Sequence, residues 1–300
     1  MEQIYANLTY DEAFKLVIFA PGNEPLIIKM LELILPGKKI NSLVLKDREQ
    51  HGLAISDKNS TFDIYCTGDD GESFIVEMQH SQQTSFMDRM LCYSTFPIRE
   101  QLEQKVQKRR EAAKRGDTSD KMDYSLMPVY VVSFLNFTLP HESEDALEEG
   151  LLSRYCLRCD GNGEPMTGAL KFVYLELERL KWGKDKAMKC TTLLEQFAWS
   201  LKYMHTVDKV PENFEDEFIR KLYERSAFAN MSVADQHKYE EIMRTEIDIL
   251  AQKAWARAEG RAEGLAEGRN DIARRLRDIK VPVEQISQAT GLSIEQIAAL

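Results

Sequence analysis

The run Met127-Pro128-Val129-Tyr130-Val131-Val132-Ser133-Phe134-Leu135 constrains this chain more than any other segment. It is almost continuously apolar and rich in β-branched and aromatic residues, which predicts a strand buried on both faces and central in its sheet. Other segments supply neighbours for it. Ile40, Ser42 and Val44 alternate on one parity, and residues 61–67 and 73–79 are two further β-type runs. The tight-turn sequence Gly68-Asp69-Asp70-Gly71 between them predicts an antiparallel hairpin over 61–79. The alternating stretches 155–159 and 170–177 extend the same sheet.

Helical signals surround this β-rich middle. Phe14, Val17 and Ile18 form one stripe over residues 9–19, with Thr9 as N-cap and Asp11 and Glu12 in the first turn. Pro25 opens a second helix that Pro36-Gly37 ends. Ser85 caps a long helix carrying Phe86, Met90, Tyr93 and Phe96, in which Pro97 introduces a kink. After Lys181-Trp182-Gly183 the pattern is helical, near 187–205, 214–229 and 233–257. The fold class is α/β first and all-α afterwards, divided as 1–182, 183–257 and 258–300.

Composition excludes several classes. A chain of 300 residues with 43% hydrophobic content builds a real core, and a net charge of −10 rules out a polycation that coats nucleic acid or membrane by bulk attraction. No apolar run reaches membrane-spanning length, and the opening residues lack a secretory pattern, so the expected compartment is the cytoplasm with no membrane partner. Five scattered cysteines fit free thiols in a reducing compartment better than a disulfide framework. The lone pair Cys156 and Cys159 lacks the other ligands of a zinc site.

The hairpin carries the chemistry. Asp63 lies on its first strand and Glu77 on its second, so the two acids can converge. Glu77 and Gln79 project from one face, because side chains alternate along a strand. Two carboxylates with the Met78 carbonyl between them offer hard oxygen ligands to Mg²⁺ or Mn²⁺, and Asp11 from the first helix could complete the cluster. The plain alternative is a pair of exposed strand acids. An unpaired acid between Phe62 and Ile64, or between Val76 and Met78, would however be costly in a sheet covered on both faces. Lys15 follows Asp11 by four residues and Arg89 precedes Tyr93 by four. Each reads either as a phosphate contact or as a simple ion-pair partner, Lys15 of Asp11 and Arg89 of an acid at the core edge.

Four ordered segments, Tyr10 to Phe19, Asp63-Ile64-Tyr65, Phe74 to Gln79 and Phe86 to Tyr93, resemble the PD-(D/E)XK nuclease-family transposases, over about residues 8–140 with a similar tail near 255–300. The resemblance implies a restriction-endonuclease-like mixed sheet flanked by helices and followed by an all-α region. It also implies divalent-metal-dependent cleavage of DNA linked to transposition or recombination. Within that pattern Asp63 corresponds to the metal-binding acid of the second strand, Glu77 to the acid of the E-x-K element and Asp11 to the acid of the first helix. Gln79 stands where the superfamily usually has lysine; it can orient water but supplies no positive charge. Asp63, Glu77 and Gln79 are the expected catalytic residues. Asp63, Glu77, Met78 and Asp11 are the expected metal site with Mg²⁺ or Mn²⁺, and Lys15 and Arg89 are the expected substrate contacts. The rival reading is a catalytically degenerate nuclease-fold scaffold that binds DNA or protein and dimerises through its C-terminal helices.

Three features remain. The basic run 105–121 could track a DNA backbone or be a solvated segment. The repeat that spaces Gly260, Gly264 and Gly268 by four suggests a helical homodimer contact or a loose linker. The last 30 residues resemble a small helix-turn-helix with Gly291 at the turn. His51, His80, His141, His205 and His237 show no catalytic or metal-binding spacing, and His80 is expected in a partly exposed loop beside the site strand.

Overall fold

The computed structural model describes residues 3–46, 49–50, 60–61, 63–116, 123–140 and 150–300. Phe62, His51, His141 and residues 117–121 of the basic run lie outside them. Helices α1 (Asp11–Ile18) and α2 (Glu24–Ile34) lead into β1 (Leu43–Leu45), the short pair β2 (Glu49–Gln50) and β3 (Ser60–Thr61), and the hairpin β4 (Ile64–Gly68) and β5 (Ser73–Gln79). Helix α3 (Phe86–Lys114) crosses to β6 (Val129–Leu135), β7 (Leu152–Cys156) and β8 (Leu170–Glu176). The rest is helical: α4 (Leu193–Tyr203), α5 (Glu217–Ser226), α6 (Val233–Asp278), α7 (Val283–Thr290) and α8 (Ile294–Ala298).

Six strands form one mixed sheet in the order β1-β4-β5-β6-β8-β7. The apolar run does become an internal strand, β6, parallel to both β5 and β8, and the hairpin is antiparallel with Ile64 opposite Val76. Every residue of β5 and β6 is buried, because helices cover both faces. On one face Tyr65, Ile75, Val131, Leu135 and Tyr174 pack against Phe86 and Met90 of α3. On the other, Phe134 meets Phe14 of α1 at 5.5 Å and Phe197 of α4 at 5.7 Å between ring centroids. Side-chain alternation therefore puts Glu77 and Gln79, which share parity with Ile75, on the α3 face.

Two expected caps differ. Thr9 precedes the N-cap of α1, which is Tyr10, and its hydroxyl donates to Asn7 Oδ1 at 2.8 Å instead. Ser85 is the N-cap of α3 but in the left-handed region, φ 59°, with no capping hydrogen bond from its side chain. The helix still starts there because Phe86 and Met90 anchor it to the sheet. Pro97 lies buried inside α3 without ending it.

The chain divides into two compact units, Met1–Tyr239 and Glu240–Leu300. In the second unit the glycine repeat is uninterrupted helix within α6. Its Ala, Glu, Arg and Leu neighbours are strong helix formers that outweigh glycine costs of up to about 1 kcal/mol each. At the end of that unit Ala273, Ile286 and Ile297 form a small core, with Gly291 at φ 72° turning α7 into α8. A capping box between Ser293 and Gln296 starts α8.

Candidate active site

The site is built where β4 begins and β5 ends, beside the carboxyl ends of the parallel strands. Crevices at this position are the usual ligand sites of α/β sheets. Asp63 and Glu77 are each only 3% exposed. They lie directly beside one another: the backbone N–H of Asp63 donates to Glu77 Oε1 at 3.3 Å. Asp63 Oδ2 accepts from the Met78 N–H at 2.7 Å, which bends its carboxylate back over β5. The Met78 carbonyl shares this edge. Successive carbonyls point to opposite edges of a strand, and the next one, Gln79, accepts from Asn136 N–H on the β6 side at 2.9 Å.

Charged side chains enter from both helices. Lys15 of α1 holds Asp63 Oδ1 at 3.0 Å and Glu12 Oε1 at 2.6 Å. It therefore pairs with Glu12 and Asp63, not with Asp11 as helical spacing suggested. Gln79 Nε2 donates to Glu77 Oε2 at 3.2 Å, and Gln79 Oε1 accepts from the Arg89 guanidinium at 2.5 Å. Arg89 also donates to Gln83 Oε1, and its plane approaches Phe86 and Tyr93 at 5.9 and 5.7 Å from the ring centroids. Its partners are amides and rings, so the expected pairing with an acid at the core edge is replaced.

Burial dominates the electrostatics. It raises Asp63 to about 6, against the opposing pull of Lys15 and the Met78 N–H. Burial, and then the Asp63 charge, hold Glu77 well above the ordinary carboxylate range. Burial acts to lower the Lys15 ammonium, but Asp63 and Glu12 outweigh it and push the group up. Burial likewise raises the Tyr93 hydroxyl, and Glu77 adds to the rise. The pair thus sits in an environment that favours cations and disfavours two bare negative charges.

Of the expected site residues, Asp63, Glu77, Met78, Gln79, Lys15 and Arg89 form one connected network. Asp11 stands apart: it is half-buried at the start of α1 and opposes ionisation of Asp63 through space. Among the described residues no three His, Cys, Asp or Glu side chains are gathered to hold a metal. Tyr93, named in the sequence only for its helical spacing, four from Arg89, also borders the acid pair, whose charges act on its hydroxyl. At the end of β5, His80 stacks on Tyr10 at 4.1 Å, with Nδ1 at 3.3 Å from the Thr9 hydroxyl. Cys156 ends β7 and accepts from Arg158 Nε at 3.1 Å, while Cys159 belongs to the following exposed turn. Lys105 of the basic run is tied to Asp123 at 2.8 Å, whereas Lys108, Arg109 and Arg110 remain exposed on α3.

Among the described residues no helix is long and apolar enough to cross a membrane. No curated protein and no solved structure matches the chain. Residues 8–256 match the family described as PD-(D/E)XK nuclease family transposase, and the mixed sheet with its flanking helices fits that family. With most of its length matched, the chain belongs to the PD-(D/E)XK nuclease family transposases.

Proposed function

We propose that the chain is a divalent-metal-dependent DNA endonuclease acting in transposition or recombination, with Asp63 and Glu77 as the acids that hold Mg²⁺ or Mn²⁺. The observation that carries this reading is the acid pair itself. Two carboxylates, each 3% exposed, lie side by side and both are held toward their protonated forms. A divalent cation would relieve that arrangement. The donor set fits: two carboxylates and the Met78 carbonyl are all hard oxygens, and each carboxylate oxygen keeps a lone pair beyond its present hydrogen bond. A bound ion supplies Lewis acidity toward a phosphate oxygen and makes water a better nucleophile at neutral pH.

The protein's own groups do the rest. Gln79 is fixed at both ends, by Glu77 and by Arg89, so its amide can orient a water beside the acids without carrying charge. The charge that the superfamily lysine would bring comes instead from Arg89, anchored on Gln79 Oε1, and from Lys15 on the other side of the pair. These two cations offset the charge of an incoming phosphate. Asp11 remains an outer acid available to the same ion.

One observation favours a second reading, the degenerate scaffold. All four oxygens of the pair already have protein partners: Lys15, the Met78 N–H, the Asp63 N–H and the Gln79 amide. Nicking of supercoiled plasmid in Mg²⁺ or Mn²⁺ separates the two. The nuclease reading expects open circles from the wild type and none from folded Asp63→Ala or Glu77→Ala. A wild type that binds DNA or protein and cuts nothing belongs to the scaffold.

A further inference from the structure

Helix α6 runs for 46 residues, and from Glu240 it belongs to the second unit. At about 100° per residue, Ile247, Leu250, Ala254, Ala258, Leu265 and Ile272 fall on one stripe about 37 Å long. Its large members are open to solvent: Ile247 is 61% exposed, Leu250 39%, Leu265 56% and Ile272 53%. A row of this kind on an otherwise polar helix needs a cover. The glycines do not build it. Gly260 and Gly264 lie off the stripe and Gly268 at its margin, and a Cβ added at any of the three would meet nothing within 4 Å.

The charge pattern identifies the cover. Residues 240–248 carry Glu240, Glu241, Glu246 and Asp248 against Arg244 alone. Residues 269–277 carry Arg269, Arg274, Arg275 and Arg277 against Asp271 alone. The two ends of the stripe thus have equal and opposite net charge. A parallel partner of the same sequence would set like ends together, whereas an antiparallel one sets the acidic end of each helix on the basic end of the other.

We propose that α6 pairs antiparallel with α6 of a second copy of the chain through this apolar stripe. The pairing places Ile247 of each copy near Ile272 of the other and stands independently of the nuclease reading. Light scattering on the full chain should give twice the monomer mass of 34.6 kDa. Ile247→Glu with Leu265→Glu should halve that mass while the circular dichroism of the sheet domain is kept. Replacing Gly260, Gly264 and Gly268 together by Ala should leave the dimer intact.

Orientation is read by oxidative cross-linking in a background with the exposed Cys92 and Cys159 changed to Ser. Ile247→Cys chains mixed with Ile272→Cys chains should cross-link to each other, and neither should cross-link alone. Four changes that reverse the acidic end, Glu240, Glu241, Glu246 and Asp248 to Lys, should halve the mass. Reversing the basic end of the same chain, with Arg269, Arg274, Arg275 and Arg277 changed to Glu, should restore it. A wild type of monomer mass, a dimer lost on Gly→Ala, or efficient cross-linking of Ile247→Cys alone would overturn the proposal.

Discussion

Replacing Asp63 by Asn should stabilise the metal-free protein while abolishing its metal site. Asp63 is buried and raised from its ordinary 3.8 to about 6. At 1.36 kcal/mol per pH unit, that rise means that the ionised form costs the fold about 3 kcal/mol. The sign follows from the direction. A carboxylate whose folded pKa lies above its unfolded value contributes stability in full below pH 3.8, and loses it as pH rises through about 6. Asparagine keeps an oxygen for the Met78 N–H, and Lys15 keeps Glu12. The variant should therefore gain up to about 3 kcal/mol at pH 8 and almost nothing near pH 4. For a domain of this size that is a melting temperature higher by about 6–12 °C. Thermal unfolding in EDTA at both pH values measures it. A variant less stable than wild type at pH 8, or one with equal gains at both pH values, would refute the reasoning about buried charge.

Further outcomes follow from the same network. Mn²⁺ affinity of the wild type should fall by up to about tenfold per pH unit below pH 6, as Asp63 takes up its proton; affinity independent of pH would contradict it. A double-mutant cycle between Gln79→Ala and Arg89→Ala should give a coupling of about 1.5–3 kcal/mol, because the bond joins a charged donor to a buried amide. Gly68→Ala should cost about 1–3 kcal/mol in urea unfolding, since its Cβ would stand 2.6 Å from Oε1 of Glu72, a buried side chain held by Lys38 at 2.8 Å. Ser85→Gly should raise the unfolding midpoint by about 1 kcal/mol equivalent, as φ 59° suits glycine and the serine caps nothing.

The sheet was legible because its information is local. The apolar run of β6, the turn between β4 and β5, and the parity of Glu77 and Gln79 all follow from side-chain alternation. The acid pair was legible for a related reason: a hairpin brings its two strands together whatever else packs on them. Its cationic partners were not. Spacing on α1 pointed Lys15 at Asp11, but the helix is docked so that Lys15 reaches Asp63, and docking is set by Phe14 against Phe134 rather than by charge. Arg89 was found by spacing, yet its grip on Gln79 depends on how α3 crosses the sheet. The caps failed because Thr9 satisfies Asn7 and because Phe86 and Met90 fix the start of α3 without help from Ser85. The full length of α6 was legible only in part, because the glycine repeat fits both a helical contact and a loose linker in sequence; in the fold the three open-faced glycines are outvoted by their helix-forming neighbours.

Calorimetric titration of Mn²⁺ into the metal-free full chain at pH 8, repeated with Asp63→Asn and Glu77→Gln, tests the acid pair as a metal site most directly. The account predicts saturable binding by the wild type and its loss in both variants, each still folded. Absence of binding by the wild type, or undiminished binding by either variant, would contradict it.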